Sequence, residues 1–198
     1  MSDDAAEEMM CATYRALCRH GYADLTMQDI ADESEKSKAA LHYHYDSKHE
    51  LLCAFLEYLY DRFVEKTSDL DCSTPEARLR SLVDVVLAKS GDDAEGFETA
   101  LLEIRAQAPY EPGFRERLTR FEEHLVGELS DILEAGVADG TFREGIEPAD
   151  TARFLVTVLT GAATERVTVG RSVECTQRML HDYIERQLLT ETTAEATA

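Results

Sequence analysis

Apolar residues recur along nearly the whole chain at the three- and four-residue spacing that places them on one face of a helix. No long segment shows the strict apolar and polar alternation that is typical of a half-buried strand. The first periodic segment has an apolar face of Met10, Tyr14, Leu17 and Cys18, and Gly21 follows where a left-handed residue commonly ends a helix. The pattern predicts an all-α protein without internal repeats.

Two short helical segments come next. The stretch "LTMQDIADES" begins with Thr26, a good N-cap, and Asp29 stands three residues later, where a capping acid lies. The stretch "KSKAALHYHY" follows after a turn of about four residues, as a helix-turn-helix requires. A helix that enters the DNA major groove needs small or hydrogen-bonding residues at its leading end and apolar residues on its back. The leading residues here are Ser37, Lys38, Ala39 and Ala40, and the apolar pair Leu41 and Tyr45 is expected to face Ile30 and Ala31.

Longer amphipathic helices are predicted for the rest of the chain. Thr74 and Pro75 form the cap and first residue of one of them, and Pro109 ends the next. The expected ranges are 48–66, 75–87, 97–108, 112–140, 149–169 and 172–189. We expect an N-terminal helix-turn-helix domain at 1–52, a second helical domain at 53–190 and a disordered tail at 191–198.

Acidic residues dominate the composition. Asp and Glu total 40 against 20 Lys and Arg, which gives a formal net charge of −20 and a pI near 4.6. The acids are spread along the whole chain, so we interpret them as an adaptation to concentrated salt and hypothesise a halophilic host. The chain opens without a secretory signal and has no apolar run of the roughly 20 residues that a membrane span needs, which predicts a cytoplasmic protein.

The chemistry-bearing residues do not indicate an enzyme. The five cysteines are scattered without a C-x-x-C pair, and we expect reduced structural thiols, with a thiol switch at Cys72 as the alternative. The nucleotide-binding, nucleophile-elbow and zinc-protease motifs are missing, and no Glu precedes a His by three residues as in a di-iron bundle. We therefore expect no catalytic residues, no cofactor and no metal site. A helical protein-interaction module without specific DNA binding remains the rival interpretation.

The run "LTMQDIADESEKSKAALHYHYDSKHELL", preceded by "ALCRHGY", resembles the DNA-binding signature of the tetracycline-repressor (TetR) family of transcriptional regulators. The resemblance covers about residues 8–55, and the remainder matches the family in length and helical layout. Two positions depart from the signature. The small-Gly-apolar turn of the family reads Ser34, Glu35, Lys36, so Glu35 must adopt a left-handed conformation or the turn must change. His42 replaces a common tyrosine.

The resemblance implies a ligand-responsive regulator, by family default a repressor, that binds a palindromic operator as a homodimer and is released by a small-molecule effector. It implies that Gln28 and four residues of the second helix approach bases, and that five further residues approach phosphates. Alternatively, Lys38 and Lys48 are ordinary solvated lysines. For His44 the alternative is a histidine packed against the protein. The base set is Gln28, Lys38, Ala39, Ala40 and Tyr43, and the phosphate set is Thr26, Ser37, His42, His44 and Lys48.

The later helices would bind the effector and form the dimer. The expected pocket residues are Leu82, Val86, Leu101, Ile104, Arg105, Phe121 and Leu125. Arg105 is the charged side chain that could meet an anionic ligand, although a surface ion pair is its alternative role. The apolar stripes expected at a four-helix dimer interface are Phe154, Leu155, Val158, Leu159 and Ala162, followed by Met179, Leu180, Tyr183, Ile184 and Leu188. Packing within one subunit is the alternative for these stripes.

The acidity predicts how DNA binding depends on salt. Four carboxylates, Asp29, Asp32, Glu33 and Glu35, precede the stretch that begins at Ser37, so attraction between Lys or Arg and phosphate is expected to be weak. Recognition would then depend on geometry and short-range hydrogen bonds. We expect an unusually shallow salt dependence of operator binding.

Overall fold

The computed structural model describes residues 3–34, 38–68, 70, 73–88 and 94–190. In this part of the chain there are nine α-helices, one π-helical turn and a single antiparallel β-bridge between Phe142 and Leu189, so the all-α prediction is confirmed. Glu35, Ser37, Cys72 and the tail 191–198 lie outside the described residues. The helices are α1 Asp3–Asp24, α2 Met27–Asp32, α3 Lys38–His44, α4 Lys48–Ser68, α5 Pro75–Leu87, α6 Ala94–Gln107, α7 Pro112–Ala138, α8 Pro148–Val169 and α9 Glu174–Tyr183.

Most helix boundaries lie where the sequence predicts them. Thr74 caps α5 by accepting a hydrogen bond from the Ala77 amide at 3.2 Å, with Pro75 as the first helical residue. The last predicted helix differs, because residues Ile184–Leu188 form a π-helical turn after α9. Arg143 explains this end: its backbone amide donates to the Leu188 carbonyl at 2.8 Å, and its guanidinium donates to the Leu189 carbonyl at 2.8 Å.

The helices form two compact units. Unit 1 contains α1, α2, α3, α4 up to Lys66, α6 and α7 up to Phe121. Unit 2 contains α5, α7 from Glu122, α8, α9 and the π-helical turn. The candidate DNA-binding helices therefore belong to unit 1.

The core of unit 1 holds the two short helices in place. Isolated helices of six or seven residues are unstable in water, so α2 and α3 depend on burial of their apolar faces. Ile30 and Ala31 of α2 and Leu41 of α3 share one buried cluster, and Tyr45 packs against it, as the sequence predicts. The other elements supply Met9, Ala16 and Leu17 from α1, Leu51, Leu52 and Phe55 from α4, Phe97, Ala100 and Ile104 from α6, and Phe114 from α7.

Unit 2 combines an apolar core with a polar link between α5 and α9. His181 Nε2 lies 2.7 Å from Asp84 Oδ1, and Gln177 donates to the same oxygen at 2.8 Å. Arg80 Nη1 lies 3.2 Å from His181 Nδ1, so the guanidinium donates to Nδ1 and the ring proton on Nε2 faces Asp84. The buried side chains include Leu79, Leu82 and Val83 of α5, Leu125, Leu129, Ile132 and Leu133 of α7, Leu155 and Leu159 of α8, and Leu180 of α9.

None of the described helices combines the length and the apolar character needed to cross a lipid bilayer.

Candidate nucleic-acid interface

Gly21 directs the chain from α1 toward the candidate DNA-binding helices. Its φ of 67° and ψ of 176° interrupt the helix, in a backbone region that favours glycine, which confirms the predicted left-handed residue. Tyr22 then receives three contacts. Its amide donates to Glu103 Oε2 of α6 at 2.6 Å, its carbonyl accepts a hydrogen bond from Lys48 Nζ at 3.0 Å, and its ring meets Phe114 edge-on. The segment that leads into α2 is therefore bonded to α4 and α6.

Thr26 and Asp29 start α2 through reciprocal hydrogen bonds. The Asp29 amide donates to Thr26 Oγ1 at 3.3 Å, while Asp29 Oδ2 accepts from the Thr26 amide at 2.8 Å and from its hydroxyl at 2.6 Å. The hydrogen bonds from Thr26 hold the pKa of the Asp29 carboxyl below its usual value. On the outer side of α2, Gln28 is exposed and its Nε2 donates to Asp32 Oδ1 at 2.7 Å. The first turn of α2 thus presents Thr26 and Gln28 to solvent.

The outer face of α3 is open to solvent. Leu41 is fully buried beneath it, whereas Tyr43 is 84% exposed and its ring meets that of His44 edge-on at 5.0 Å between centroids. An exposed aromatic with a hydroxyl beside small and cationic residues suits contacts with base edges and phosphates. The predicted members of this face that the structure describes are Lys38, Ala39, His42, Tyr43 and His44, all exposed, and Ala40, which is half-buried.

Lys48 has a different environment from the other predicted phosphate contacts. Besides its hydrogen bond to the Tyr22 carbonyl, its ammonium lies 4.7 Å from the centroid of the Tyr22 ring. Burial lowers the pKa of Lys48, and the nearby Asp24 carboxylate partly opposes this shift. In this structure Lys48 fixes the junction between α1 and α4, and a contact with phosphate would have to share the ammonium.

The predicted pocket residues are divided between the two units. In unit 1, Ile104 is buried in the core, Leu101 packs against it, and Phe121 contacts the rings of Phe63 at 4.7 Å and Tyr60 at 6.3 Å between centroids. Arg105 is half-buried in the same unit. In unit 2, Leu82 and Leu125 are buried and Val86 is half-buried. A cleft of about 270 Å³ in unit 2 is lined by other residues, among them Thr74, Arg78, Glu128 and Ile132.

Comparison with protein families identifies both parts of the chain. Residues 10–55 match the model described as "Bacterial regulatory proteins, tetR family". Residues 75–189, more than half of the chain, match "BetI-type transcriptional repressor, C-terminal". The chain belongs to the TetR family. It is a ligand-responsive transcriptional regulator, and the family match does not favour the protein-interaction module.

Solved structures and curated relatives of the TetR family agree with this assignment. A TetR transcription regulator from Haloarcula marismortui is 41% identical, with 94% of this chain and 99% of that chain covered and a TM-score of 0.86. The transcriptional regulator BetI of Ectopseudomonas mendocina is 26% identical over 191 residues, 91% of this chain and 92% of that protein. A regulator from Saccharomonospora viridis, solved in complex with choline, shares the fold at 22% identity, with 96% and 100% coverage and a TM-score of 0.84.

The residues predicted for a TetR-family dimer interface separate into two groups. Leu155, Leu159, Ala162, Leu180, Ile184 and Leu188 are at most 9% exposed within the subunit, so they form its core in this conformation. Phe154 and Met179 are 49% and 58% exposed, and the Phe154 and Tyr183 rings lie 5.5 Å apart. Val158 and Tyr183 are half-buried. The accessible part of the predicted interface is therefore a patch of Phe154, Val158, Met179 and Tyr183, which we call the α8–α9 patch.

The sequence does not reveal two ion pairs at the C-terminal end of α2. Glu33, the C-cap of α2, forms ion pairs with Arg15 and Arg19 of α1. The two arginines are one helical turn apart, which is the signal in the sequence that both point the same way. Their partner is fourteen and eighteen residues away along the chain, so local spacing does not reveal it.

Proposed function

We propose that this regulator represses transcription by binding a palindromic operator as a homodimer in the cytoplasm, and that a small-molecule effector releases it. The observation that carries the proposal is the outer face of α3, exposed through Lys38 to His44, above a fully buried Leu41. In a dimer, two such faces about 34–36 Å apart would enter successive major grooves. The proposed domains are 1–52 for DNA binding and 53–190 for effector binding and dimerisation.

The proposed DNA contacts remain those predicted from the sequence. Tyr43, His42 and Lys38 have side chains that extend into solvent and can reach DNA without rearrangement of the core. Thr26 and Gln28 offer polar groups at the first turn of α2. Ser37 belongs to the set through the resemblance alone. Lys48 would act mainly by holding the Tyr22 junction.

The operator is tested with DNA from upstream of the protein's own gene. Fluorescence anisotropy of a labelled upstream duplex, measured from low to molar KCl, should show specific binding that declines only shallowly with salt, because few cations face the DNA. A mixed-sequence duplex of equal length is the control. Absence of specific binding at every salt concentration would contradict the repressor proposal, and a steep loss between low and high salt would contradict the proposed adaptation to concentrated salt.

Choline is the first effector that we propose to test. Support comes from the choline complex of the Saccharomonospora viridis regulator, which shares the fold over 96% of this chain. In unit 1 of this chain, the Arg120 guanidinium already lies 4.2 Å from the centroid of the Tyr60 ring, beside Phe121 and Phe63. Aromatic faces of this kind also attract quaternary ammonium groups.

The effector test uses the protein bound to its operator. Addition of choline chloride should release the duplex, whereas the same concentration of KCl should not, because only a molecule with different affinities for the two states shifts the equilibrium. Equal release by both salts would exclude choline as the effector and leave the DNA-binding proposal unaffected.

A further inference from the structure

The Glu33 cluster, which consists of Glu33, Arg15 and Arg19, lies at the C-terminal end of α2, the helix that precedes the proposed recognition helix α3. Arg15 Nε is 3.6 Å from Glu33 Oε2, and Arg15 Nη2 donates to the Glu33 backbone carbonyl at 2.7 Å. Arg19 Nη1 donates to Glu33 Oε1. The Glu33 side chain is only 11% exposed, whereas those of Arg15 and Arg19 are 45% and 67% exposed. One carboxylate is therefore enclosed by two arginines whose outer sides face solvent.

In the Glu33 cluster one negative charge offsets one of two positive charges, in a domain that has few cations. The first 52 residues contain five Lys and Arg residues, Arg15, Arg19, Lys36, Lys38 and Lys48. Two of these pair with Glu33, and the Lys48 ammonium is held at the Tyr22 carbonyl. Lys and Arg side chains that neutralise phosphates supply most of the sequence-independent affinity of a protein for DNA. Pairing within the protein thus lowers affinity for DNA of any sequence.

We propose that Glu33 is a specificity-determining residue, which keeps Arg15 and Arg19 from binding phosphates and so suppresses non-specific DNA binding. The inference rests on one part of the proposed function, namely that the protein binds DNA. Specificity is a difference between two affinities, and an internal carboxylate that weakens binding to the wrong sequences raises it as effectively as a new base contact. The bases would then be distinguished by the outer face of α3 with little competition from general electrostatic attraction.

The Glu33→Gln variant removes the negative charge of residue 33 with little change in the shape of its side chain. Glutamine has nearly the same shape, its amide oxygen can still accept from Arg19, and the hydrogen bond from Arg15 to the backbone carbonyl at residue 33 does not depend on the side chain. Asp32→Asn is the matched control, because it removes one negative charge from the neighbouring residue, whose carboxylate accepts a hydrogen bond from Gln28.

The experiment measures binding of a mixed-sequence duplex without the operator across a KCl series. Because the substitution leaves one arginine charge without compensation, we expect the slope of log affinity against log salt to become steeper by about one unit in Glu33→Gln. This corresponds to a further fall of roughly threefold in affinity between about 50 and 200 mM salt. Asp32→Asn should steepen the slope less than Glu33→Gln does, because the Asp32 carboxylate accepts a hydrogen bond from Gln28. Equal slopes for the two variants, or failure of Glu33→Gln to bind the duplex at low salt, would overturn the proposal.

Arg19→Gln provides a second, independent measurement. If the pairing with Glu33 already keeps Arg19 from binding phosphates, this variant keeps the non-specific slope of the unchanged protein. A slope shallower by about one unit would overturn the proposal. Arg19 is exposed, so its replacement does not open the core, and the test stands even if Glu33→Gln fails to fold. Failure of the unchanged protein to bind its own upstream DNA would instead count against the proposed function.

Discussion

Thr26 and Asp29 are the residues in which sequence and structure agree most closely. The spacing of a threonine and an acid three residues apart predicts a cap, and the structure has both reciprocal hydrogen bonds. The lowered pKa of Asp29 follows from the bonds that its carboxylate accepts from Thr26. Since α2 has only six residues, this cap supplies a considerable part of its local stability.

Replacement of Thr26 by Ala should lower the free energy of unfolding by about 1 kcal/mol at neutral pH, which is the usual cost of losing an N-cap. Because the pKa of Asp29 is lowered on folding, its contribution is complete above its unfolded pKa and is lost as pH falls through the folded pKa. Below about pH 4 the deficit of Thr26→Ala should therefore shrink. Urea unfolding at neutral and acidic pH measures both quantities.

Thr74→Ala is the matched control for this prediction. Thr74 caps α5 by accepting from the Ala77 amide, and the residue in the position of Asp29 is Ala77, which has no carboxylate. The deficit of Thr74→Ala should not share the acid dependence. Parallel behaviour of the two variants in acid would show that the Asp29 carboxylate contributes nothing to the cap.

Other residues of the candidate site could not be predicted, because their partners are distant in the sequence. The helical pattern places Lys48 at the start of α4, but its bond to the Tyr22 carbonyl depends on how α1 packs against α4. The ion pairs of Glu33 depend in the same way on the packing of α1 and α2. Residue spacing shows which side chains share one face of a helix. It cannot predict these contacts, because they depend on the relative position of two helices.

At the scale of elements, α6 is the helix whose role the sequence describes least well. Its periodicity predicts a helix, and the family resemblance implies that this helix belongs to the effector domain. In the structure it packs against α1 in unit 1, and Phe97, Ala100 and Ile104 enter the core that contains α2 and α3. The Glu103 carboxylate also accepts the Tyr22 amide at 2.6 Å, directly after the left-handed Gly21. A predicted pocket residue, Ile104, and the support of the helix-turn-helix therefore share one helix.

Replacement of Glu103 by Ala should lower the free energy of unfolding by roughly 1–3 kcal/mol, because the Tyr22 amide loses a charged acceptor in a partly buried position. Glu103→Gln should lose less, since its amide oxygen can still accept this hydrogen bond. Chemical denaturation of the two variants beside the unchanged protein measures the difference. Equal losses for Ala and Gln would show that the hydrogen bond to Tyr22 is not the cause.

The end of the last helix shows a second limit of element-level prediction. Helical periodicity continues through Leu188, and the sequence predicts one regular helix to Leu189. In the structure, Leu189 donates to the Ile184 carbonyl at 3.0 Å, which makes a π-helical turn, and Arg143 binds the carbonyls around it. Periodicity tracks which residues are buried, and it does not distinguish an α-helical from a π-helical last turn.

At the scale of the whole molecule, a net charge of −20 is compatible with DNA binding because the local arrangement of charges near α3 matters more than the total. The acids are spread over the surface, and at about 0.1 M salt their electrostatic interactions are largely screened beyond about 10 Å. At higher salt this distance is shorter. Near the recognition helix, one acid is paired with two arginines, and the exposed groups of α3 bear no carboxylate between Lys38 and His44. The family could be predicted from the short helix-turn-helix segment. The effector and the assembly could not, because they depend on surfaces formed by residues far apart in the chain.

The α8–α9 patch allows a direct test of the proposed assembly. In an interface with two-fold symmetry, each copy contributes the same patch, so Phe154→Glu places two like charges in one apolar contact. We expect the dimer dissociation constant to rise at least about a hundredfold, equivalent to roughly 3 kcal/mol. Sedimentation velocity should then show monomer where the unchanged protein forms dimer.

Val169→Glu is the control for Phe154→Glu, because Val169 is an apolar residue of the same helix, 66% exposed and outside the patch, and the substitution adds the same charge. It should remain dimeric. Both variants must be measured in low and molar KCl, since screening weakens repulsion between exposed charges but not the loss of apolar contact. A Phe154→Glu protein that dissociates only in low salt would show that net charge, and not the patch, controls association, whereas dissociation in both salts would locate the dimer contact at Phe154.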